Sequence, residues 1–205
     1  MALSGVTRVF GASPAIVRVD LTIPWGETVV VRGPNGAGKS TLLRVVATAI
    51  SPTYGGGTVL GFDLVRDREA IRRRTELVGH RTRLYEDLTA VENLRFACTL
   101  YRCDPAGVEP ALERVGLADV AAERVRGFSQ GMRQRVALAR LVVRQADLLL
   151  LDEPYAGLDE EGKNLVDDVI AHAGSRGGTV ILATHDASRG LSASRTVRME
   201  GGRLL

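Results

Sequence analysis

The sequence is poor in cysteine and contains no long run of apolar residues. Its 205 residues include two cysteines, Cys98 and Cys103, whose spacing matches no common metal-binding pattern. Two isolated thiols without a disulfide framework are typical of a reducing compartment. The longest uninterrupted apolar runs, such as 148–151, have four residues, far fewer than the roughly 20 residues of a membrane-spanning helix. The first residues also lack the apolar stretch of a signal peptide. These absences predict a cytoplasmic protein that does not itself cross a membrane.

The sequence also lacks a strong charge of either sign. The formal net charge is +3 at pH 7, and the basic residues, nearly all of them arginine, are scattered along the chain. A nucleic-acid-binding surface needs clustered basic residues, so we expect no nucleic acid partner. The content of 45% hydrophobic and 25% charged residues is that of an ordinary globular protein. We therefore expect residues 1–205 to form a single domain.

Short apolar segments alternate with helical patterns along most of the chain. The pattern predicts strands near 5–10, 15–23, 27–33, 58–64, 77–80, 146–154 and 178–185, helices near 39–50, 67–76 and 160–173, a loop at 51–57 and a closing hairpin at 196–205. Strands that alternate with helices predict an α/β fold with a mostly parallel sheet. Residues 84–145 break this alternation, because their apolar residues recur at helical spacing only. We interpret them as an inserted helical subdomain.

A glycine-rich segment follows one of the predicted strands and begins a predicted helix. It comprises Gly33, Pro34, Asn35, Gly36, Ala37, Gly38, Lys39, Ser40 and Thr41. The segment matches the phosphate-binding pattern G-x-x-x-x-G-K-[ST]. Its glycines permit the backbone to curl around a phosphate chain, and the backbone N–H groups and the helix dipole then face the anion. Lys39 is predicted to contact the β- and γ-phosphates, and Ser40 to hold Mg²⁺ through its hydroxyl. A plain glycine-rich turn is the alternative.

Acidic residues and a histidine follow two buried strands. Asp152 stands at the end of the apolar run at 148–151, where a carboxylate can support Mg²⁺. Glu153 comes next and could polarise a water molecule for attack on the γ-phosphate. His185 ends the next predicted strand, at the edge where α/β sheets bind ligands, and is predicted to contact the γ-phosphate. Solvated strand ends and a structural histidine are the alternatives.

A second helix start of the anion-binding kind occurs at residues 128–140, FSQGMRQRVALAR. The loop that contains Ser129 and Gly131 opens an amphipathic helix there. Backbone N–H groups at such a helix start favour an anion. The sequence therefore offers two phosphate-facing helix starts in one short chain.

Together these segments resemble the ATP-binding-cassette (ABC) ATPases along essentially the whole chain. The phosphate loop, FSQGM, LLLLDEP, AGLD at 156–159 and ATH at 183–185 occur in the order and at the spacings of that family. FSQGM is similar to the family signature LSGGQ and retains Ser129 and Gly131. Its other three residues differ from that signature, which bears on the details of the second half-site.

The resemblance implies a fold and an assembly. The fold has a mostly parallel sheet core, an N-terminal antiparallel β subdomain and the helical subdomain near 84–145. The active form is a head-to-tail dimer, of two copies or with a paired ATPase subunit, and holds two ATP molecules at its interface. Each signature, through Ser129 and Gly131, then faces the ATP held by the other copy. The resemblance also implies that Phe10 stacks on adenine and that Asp159 crosses between the two sites.

The resemblance places His80 where most members of the family have glutamine. That glutamine contributes an oxygen near Mg²⁺, whereas imidazole has none, and Mg²⁺ strongly prefers oxygen ligands. We therefore expect His80 to contact the water shell of the metal or the attacking water. A polar residue that is merely tolerated at a hinge is the alternative.

A transporter ATPase without a membrane span requires separate membrane permease subunits. The resemblance thus implies a peripheral position on the inner face of the cell membrane. Among the subfamilies, the chain is most similar to the ATPase of the haem exporter used in cytochrome c maturation. The short chain, Gly79-His80 and DLTAVENLRF at 87–96 suggest this subfamily, whereas FSQGM is less typical of it. ATPases of small drug, lipid or peptide exporters share the same skeleton.

A role outside transport is less consistent with the sequence. A DNA-repair member of the family would carry a long coiled-coil insertion, and a translation factor would carry two cassettes in tandem. This sequence shows neither feature. A scaffold that does not hydrolyse ATP is disfavoured, because Lys39, Asp152, Glu153 and His185 are all present.

Overall fold

The computed structural model describes residues 1–79, 82–186 and 193–205. Its strands are β1 (Ala2–Phe10), β2 (Ser13–Thr22), β3 (Thr28–Arg32), β4 (Tyr54–Val59), β5 (Phe62–Asp63), β6 (Thr75–Val78), β7 (Leu148–Asp152), β8 (Thr179–Ala183), β9 (Arg195–Glu200) and β10 (Arg203–Leu204). Its helices are α1 (Lys39–Val46), α2 (Arg68–Arg74), α3 (Ala90–Tyr101), α4 (Val108–Arg114), α5 (Gln130–Arg144) and α6 (Glu160–Ser175). Short 3-10 turns lie at Pro105–Gly107 and Val125–Gly127.

The chain divides into two compact units. Unit 1 comprises Met1–Leu77, Ala146–Pro154 and Ala173–Leu205, and unit 2 comprises Val78–Gln145 and Tyr155–His172. Both sheets lie essentially in unit 1, whereas α3, α4 and α5 lie in unit 2.

Unit 1 contains two sheets. The four-stranded sheet has the order β2-β1-β4-β5, and its neighbouring strands are antiparallel. The six-stranded sheet has the order β10-β9-β3-β8-β7-β6. In that sheet β3 pairs in parallel with β8 and β9, and β7 pairs in parallel with β8. The predicted α/β class with a mostly parallel sheet and an N-terminal antiparallel sheet is therefore confirmed.

The centre of the parallel sheet is apolar on both faces. All four leucines at 148–151 in β7 are buried, as are all five residues of β8. A strand that is covered on both faces has a continuous apolar sequence, and this pattern predicted β7 and β8. Because β3, β7 and β8 run in parallel, their carboxyl ends meet at one edge, and that edge carries the candidate site.

One predicted loop is instead a strand. Residues 54–57 were expected to belong to a loop because three glycines follow Tyr54, but they form most of β4. Gly57 pairs with Leu3 of β1, and a Cβ atom on Gly57 would lie 2.1 Å from the carbonyl oxygen of Ala2. Glycine is required there because the two backbones approach closely. The partner strand is about fifty residues away in sequence, so local composition could not reveal the pairing.

Unit 2 is built from helices, as predicted for residues 84–145. Helix α3 begins with a capping box between Thr89 and Glu92. The buried Asn93 accepts a hydrogen bond from the N–H of Tyr85 and donates to the carbonyl oxygens of Tyr85 and Thr89. The start of α3 thereby fixes the loop that precedes it.

The two thiols are not isolated, which corrects the interpretation of the sequence. Cys98 lies in the last turn of α3 and Cys103 just beyond it, and both residues line one cavity. The helix ends with a left-handed residue, Arg102, and this turn folds the chain back. Among the described residues, no helix is both long enough and apolar enough to cross a bilayer.

Candidate active site

The glycine-rich segment forms a tight loop between β3 and α1. Gly38 has a positive φ of 100°, and a Cβ atom there would lie 2.4 Å from the carbonyl oxygen of Ala15, so no larger residue fits. Gly36 also has a positive φ, of 79°, but a Cβ atom on it would meet nothing within 4 Å. The loop is thus packed tightly on one side and open on the other. An open backbone loop before a helix start is the geometry that binds phosphate.

The start of α1 has N–H groups that no side chain caps. Its N-cap residue is Gly38, and no acidic residue lies in the first turn. The N–H groups of a first helical turn need a partner from outside the helix. An anionic ligand is a suitable partner, and this fits the triphosphate expected from the sequence.

Lys39 is buried, and its ammonium group points into the loop. The side chain is 6% exposed. Its Nζ atom donates to the carbonyl oxygens of Gly33 at 2.7 Å and Pro34 at 3.2 Å, and it lies 3.7 Å from Oε1 of Glu153. A buried ammonium ion within reach of the loop can neutralise a phosphate chain held there.

Ser40 and Asp152 place two oxygen atoms side by side that could act as ligands of a metal ion. The Ser40 hydroxyl donates to Oδ1 of Asp152 at 2.9 Å. Burial raises the pKa of the Asp152 carboxyl above its ordinary value, and the charge of Glu153 adds to the rise, while the hydrogen bond from Ser40 opposes it. A divalent cation would reverse this balance by favouring the carboxylate. A hydroxyl beside a carboxylate fits Mg²⁺, which binds oxygen ligands and usually takes the remainder from phosphate and water.

Glu153 lies between Lys39 and His185. Its Oε2 atom is 2.9 Å from Nδ1 of His185, and its buried Oε1 atom has no hydrogen-bond partner. A buried carboxylate oxygen without a hydrogen-bond partner has the capacity to accept a proton or to bind a water molecule.

The backbone of Glu153 is also unusual. Its φ is 51°, a left-handed value that is uncommon for a residue other than glycine. Its N–H donates to the carbonyl oxygen of Ala183 at 2.8 Å, so β8 holds the chain in this conformation. Backbone strain of this kind is often found at functional sites.

Sequence reasoning did not identify Arg32, the last residue of β3. Its guanidinium donates to the backbone carbonyl oxygen of Asp186, which directly follows His185. Arg32 therefore ties the segment that carries His185 to the strand that carries the phosphate loop. An arginine at the end of a strand has no recognisable signal in the sequence, because the contact joins residues about 150 positions apart.

Phe10 lies at the end of β1 in unit 1 and is 45% exposed. The guanidinium carbon of Arg8 lies 4.6 Å from the centre of its ring. Arg8 in turn donates to the carbonyl oxygen of Ser51. One face of the ring is thus supported by a fixed cation, and an exposed, supported ring of this kind can stack on a base.

The signature segment lies in unit 2. Ser129 is the N-cap of α5, where its hydroxyl accepts a hydrogen bond from the N–H of Met132 at 3.2 Å. Phe128, which replaces the leucine of the family signature, is 5% exposed and packs as a core residue. Gly131 follows in the first turn of α5, and the loop remains exposed at Ser129.

Asp159 begins α6 in the same unit. Its Oδ1 atom accepts from the N–H of Gly162 at 2.8 Å. Arg135 of α5 lies 3.7 Å from Oδ1 of Asp159 and 3.3 Å from Oε2 of Glu161. Arg135, which the sequence did not single out, thereby joins the signature helix to the segment that carries Asp159.

The predicted site residues are divided between the two units, and one of them, His80, lies outside the described residues. The phosphate loop, Asp152, Glu153, His185 and Phe10 lie in unit 1, while Ser129, Gly131 and Asp159 lie in unit 2. Within the loop, Pro34 and Asn35 are exposed, Ala37 is buried, and Thr41 lies in the first turn of α1. His80 lies outside the described residues, so its predicted role remains a prediction.

Comparison with known proteins identifies related sequences. The ABC transporter family model matches residues 16–156. The ABC transporter ATP-binding protein NatA of Bacillus subtilis is 39% identical over 83% of this chain and 72% of its own length. A daunorubicin resistance ATP-binding protein of Streptomyces coeruleorubidus is 37% identical over 90% of this chain. A cytochrome c biogenesis ATP-binding export protein of Paramagnetospirillum magneticum is 40% identical over 78% of this chain and 76% of its own length. The match spans 60% of the daunorubicin resistance protein, less than two thirds of it.

A solved structure with the same fold is a dimeric ATP-binding cassette in a post-hydrolysis state, bound to ADP and Pi. It is 26% identical in sequence to this chain and has a TM-score of 0.90. The match covers 99% of this chain and 95% of that one.

Proposed function

This chain belongs to the ABC transporter family, as an ATP-binding and ATP-hydrolysing subunit, and from that premise we propose that two copies close head to tail around two Mg-ATP molecules. The observation that carries the proposal is the series of contacts that joins Gly33 of the phosphate loop to Lys39, Lys39 to Glu153 and Glu153 to His185. The dimeric state of the related solved cassette supports the assembly.

In the proposed site, residues 33–41 hold the triphosphate. The backbone N–H groups of the loop and of the start of α1 bind its oxygens, and Lys39 exchanges its carbonyl partners for the β- and γ-phosphates. Ser40 and Asp152 would hold Mg²⁺, which would neutralise part of the negative charge of the phosphates. Phe10 stacks on the adenine, supported from its other face by Arg8.

Glu153 is the proposed general base for hydrolysis. Its Oε1 atom, which lacks a hydrogen-bond partner, accepts a proton from the attacking water, while Oε2 remains beside His185. His185 contacts the γ-phosphate and keeps the Glu153 carboxylate in place. Arg32 acts as a positioning residue, because it fixes the backbone that follows His185.

The second half of each site comes from the other copy. Ser129 and Gly131 present the start of α5 to the partner's γ-phosphate, and Asp159 reaches across the interface. Exposure of Ser129 and of Asp159 supports this role, since neither is committed to a core. The γ-phosphate thereby joins the two copies, and its removal releases them.

The domain organisation is part of the proposal. We take residues 1–205 as one ABC ATPase domain with a helical subdomain near 84–145. The separate helical unit, which contains α3, α4 and α5, supports this organisation.

The proposed cargo is haem for cytochrome c maturation, moved by separate membrane permease subunits. The chain would then sit peripherally on the inner face of the cell membrane. Support comes from the cytochrome c biogenesis relative, which shares 40% identity and a similar length. Another small exporter is the second candidate, because the daunorubicin resistance relative matches more of the chain.

Deletion in the native host distinguishes the two candidates. If the chain drives haem export, the deletion strain loses covalently bound haem in its c-type cytochromes, measured by haem staining of denatured protein. Wild type restores the signal, and the Glu153→Gln variant does not. Normal c-type cytochromes together with new sensitivity to an exported drug would instead identify a drug exporter.

A further inference from the structure

We propose that Cys98 and Cys103 form a dithiol that a small-molecule disulfide oxidises reversibly to an internal disulfide. The proposal concerns unit 2 only and does not depend on the cargo or on the ATP site. It assigns a modification site to two residues that take no part in the proposed hydrolysis.

The backbone of the helix end places the two cysteines together. The N–H of Cys103 donates to the carbonyl oxygen of Cys98 at 3.1 Å. Arg102, which directly precedes Cys103, has a left-handed backbone with φ 58°. This is the Schellman arrangement, in which the side chains at these two positions commonly touch. Here both of those side chains carry thiols.

The surroundings of the side chains agree with this arrangement. Both cysteines border the same cavity, the Cys103 thiol is among the groups that raise the pKa of Cys98, and Sγ of Cys98 donates to the carbonyl oxygen of Asp104 at 3.8 Å. The helix end thus places both thiols where a bond between them can form.

The two thiols differ in access. Cys98 is 3% exposed, whereas Cys103 is partly exposed. Both line a cavity of about 600 Å³ that is also bordered by Arg95, Thr99 and Glu109. Cys103 also borders a second cavity of about 570 Å³, beside Arg114 and Arg144. A small disulfide can thus approach Cys103 from solvent, whereas Cys98 is almost closed to solvent.

The order of reaction follows from this difference. The Cys103 thiolate attacks one sulfur of the small disulfide, RSSR, and forms a mixed disulfide while one RS⁻ leaves. Cys98 then loses its proton and attacks the Cys103 sulfur, which expels the second RS⁻. The two protein thiols lose two electrons and two protons in total, and RSSR becomes two RSH.

The environment of Cys98 makes it the second thiol to react. Burial raises the pKa of Cys98 to about 12, and the neighbouring Cys103 thiol and the charge of Asp104 add to the rise. The thiolate is the reactive form, so Cys98 is inert at first. Once Cys103 is in a mixed disulfide, it no longer carries a thiolate charge. Its contribution to the raised pKa of Cys98 is then lost, and Cys98 loses its proton more easily.

The test treats the reduced full-length chain with oxidised glutathione, blocks remaining thiols with an alkylating agent and measures intact mass. Wild type should lose both alkylatable thiols and retain no glutathione. Trypsin cleaves after Arg102, between the cysteines, so the bond should join peptides 96–102 and 103–114 until a reductant separates them. Excess reduced glutathione should restore both thiols.

Two serine variants test the order of reaction. Cys98→Ser should stop at a mixed disulfide on Cys103. Cys103→Ser should react slower than wild type by on the order of ten-fold or more, because Cys98 is buried and protonated. Circular dichroism and ATPase activity under reducing conditions should match wild type in both variants, which confirms that they fold.

Three results would overturn the proposal. Wild type could end with glutathione on Cys103 and Cys98 unchanged, or it could retain both alkylatable thiols. Alternatively, both thiols could become unreactive without a change of oxidation state and recover on addition of a metal chelator. That last result would assign a metal site instead of a disulfide.

Discussion

The Nδ1 atom of His185 lies 2.9 Å from Oε2 of Glu153. The contact joins the residue after β7 to the segment after β8, two strands that are neighbours in the parallel sheet. It leaves Oε1 of Glu153 buried and without a hydrogen-bond partner. The histidine therefore orients one carboxylate oxygen and leaves the other available for the role of base that we propose for Glu153.

Replacing Glu153 by glutamine should slow hydrolysis by roughly 10²- to 10⁴-fold, because an amide cannot accept the proton of the attacking water. ATP affinity should persist, since the phosphate loop is unchanged. The variant should accumulate as an ATP-bound dimer, which light scattering with Mg-ATP detects. The exposed Glu69→Gln provides the matched control and should hydrolyse ATP like wild type. Equal rates in the two variants would exclude Glu153 as the base.

The variants Ser129→Arg and Lys39→Ala test whether the signature acts on the partner's nucleotide. Ser129→Arg should bind ATP but not hydrolyse it, because the arginine obstructs the second half-site. Lys39→Ala should lose ATP affinity, because a charge-assisted phosphate contact is removed. A mixture should recover part of the activity, since the heterodimer contains one site with both halves intact. The measurement is phosphate release as a function of mixing ratio, and loss of ATP binding by monomeric Ser129→Arg would contradict the role in trans.

Asp152→Asn should make the nucleotide-free protein more stable at neutral pH, although the variant should lose activity. Burial raises the pKa of the Asp152 carboxyl above 3.8, so the folded protein binds more protons than the unfolded chain just above that pH. The free energy of unfolding therefore decreases as the pH rises from 3.8 through the raised pKa, and the loss is complete above it. The nucleotide-free variant should melt at a higher temperature than wild type at neutral pH, and the difference should vanish below about pH 3.8, the ordinary value.

The same Asp152→Asn variant should lose Mg²⁺-dependent hydrolysis, because a neutral amide binds the cation weakly. Thermal melts at several pH values and phosphate release over a Mg²⁺ titration measure the two effects. A variant that is less stable than wild type at neutral pH would show that the carboxylate stabilises the fold, contrary to this argument.

Arg32→Ala should lower kcat by about 10- to 100-fold while ATP affinity changes little, because the backbone after His185 loses an anchor and small displacements of catalytic groups are costly. Arg198→Ala is the matched control. Arg198 pairs with Arg32 in register on the neighbouring strand, but its side chain is exposed and lies near Glu200. If both variants lower kcat equally, the loss of a positive charge explains the effect, and the anchoring of the backbone after His185 by Arg32 does not.

The sequence predicted the segments whose structure depends on neighbouring residues. The phosphate loop at 33–41 combines glycines, a lysine and a helix start within nine residues, so its conformation is set locally. The buried strands β7 and β8 were evident because both of their faces are covered, which leaves an uninterrupted apolar run. Helix α1 was predicted to reach Ile50 but ends at Val46, since element boundaries depend on weak terminal contacts.

Contacts between residues that are far apart in the chain could not be predicted from the sequence. Nothing near Tyr54 indicated that the glycines after it pair with β1, and nothing near Arg32 indicated that it binds the carbonyl oxygen of Asp186. The two cysteines looked isolated because they are five positions apart, yet the left-handed turn at Arg102 brings them together. Each of these relationships requires the path of the chain in space.

The sequence by itself determined which chemical groups are present and in which order, because the phosphate loop, the carboxylates and the signature are each short contiguous segments. Tertiary structure alone decided how those groups meet. It placed Lys39 beside Oε1 of Glu153 and His185 beside Oε2, and it left Oε1 without a hydrogen-bond partner. The physical reason is the parallel sheet, which aligns the ends of strands far apart in sequence at one edge. No local pattern encodes that alignment.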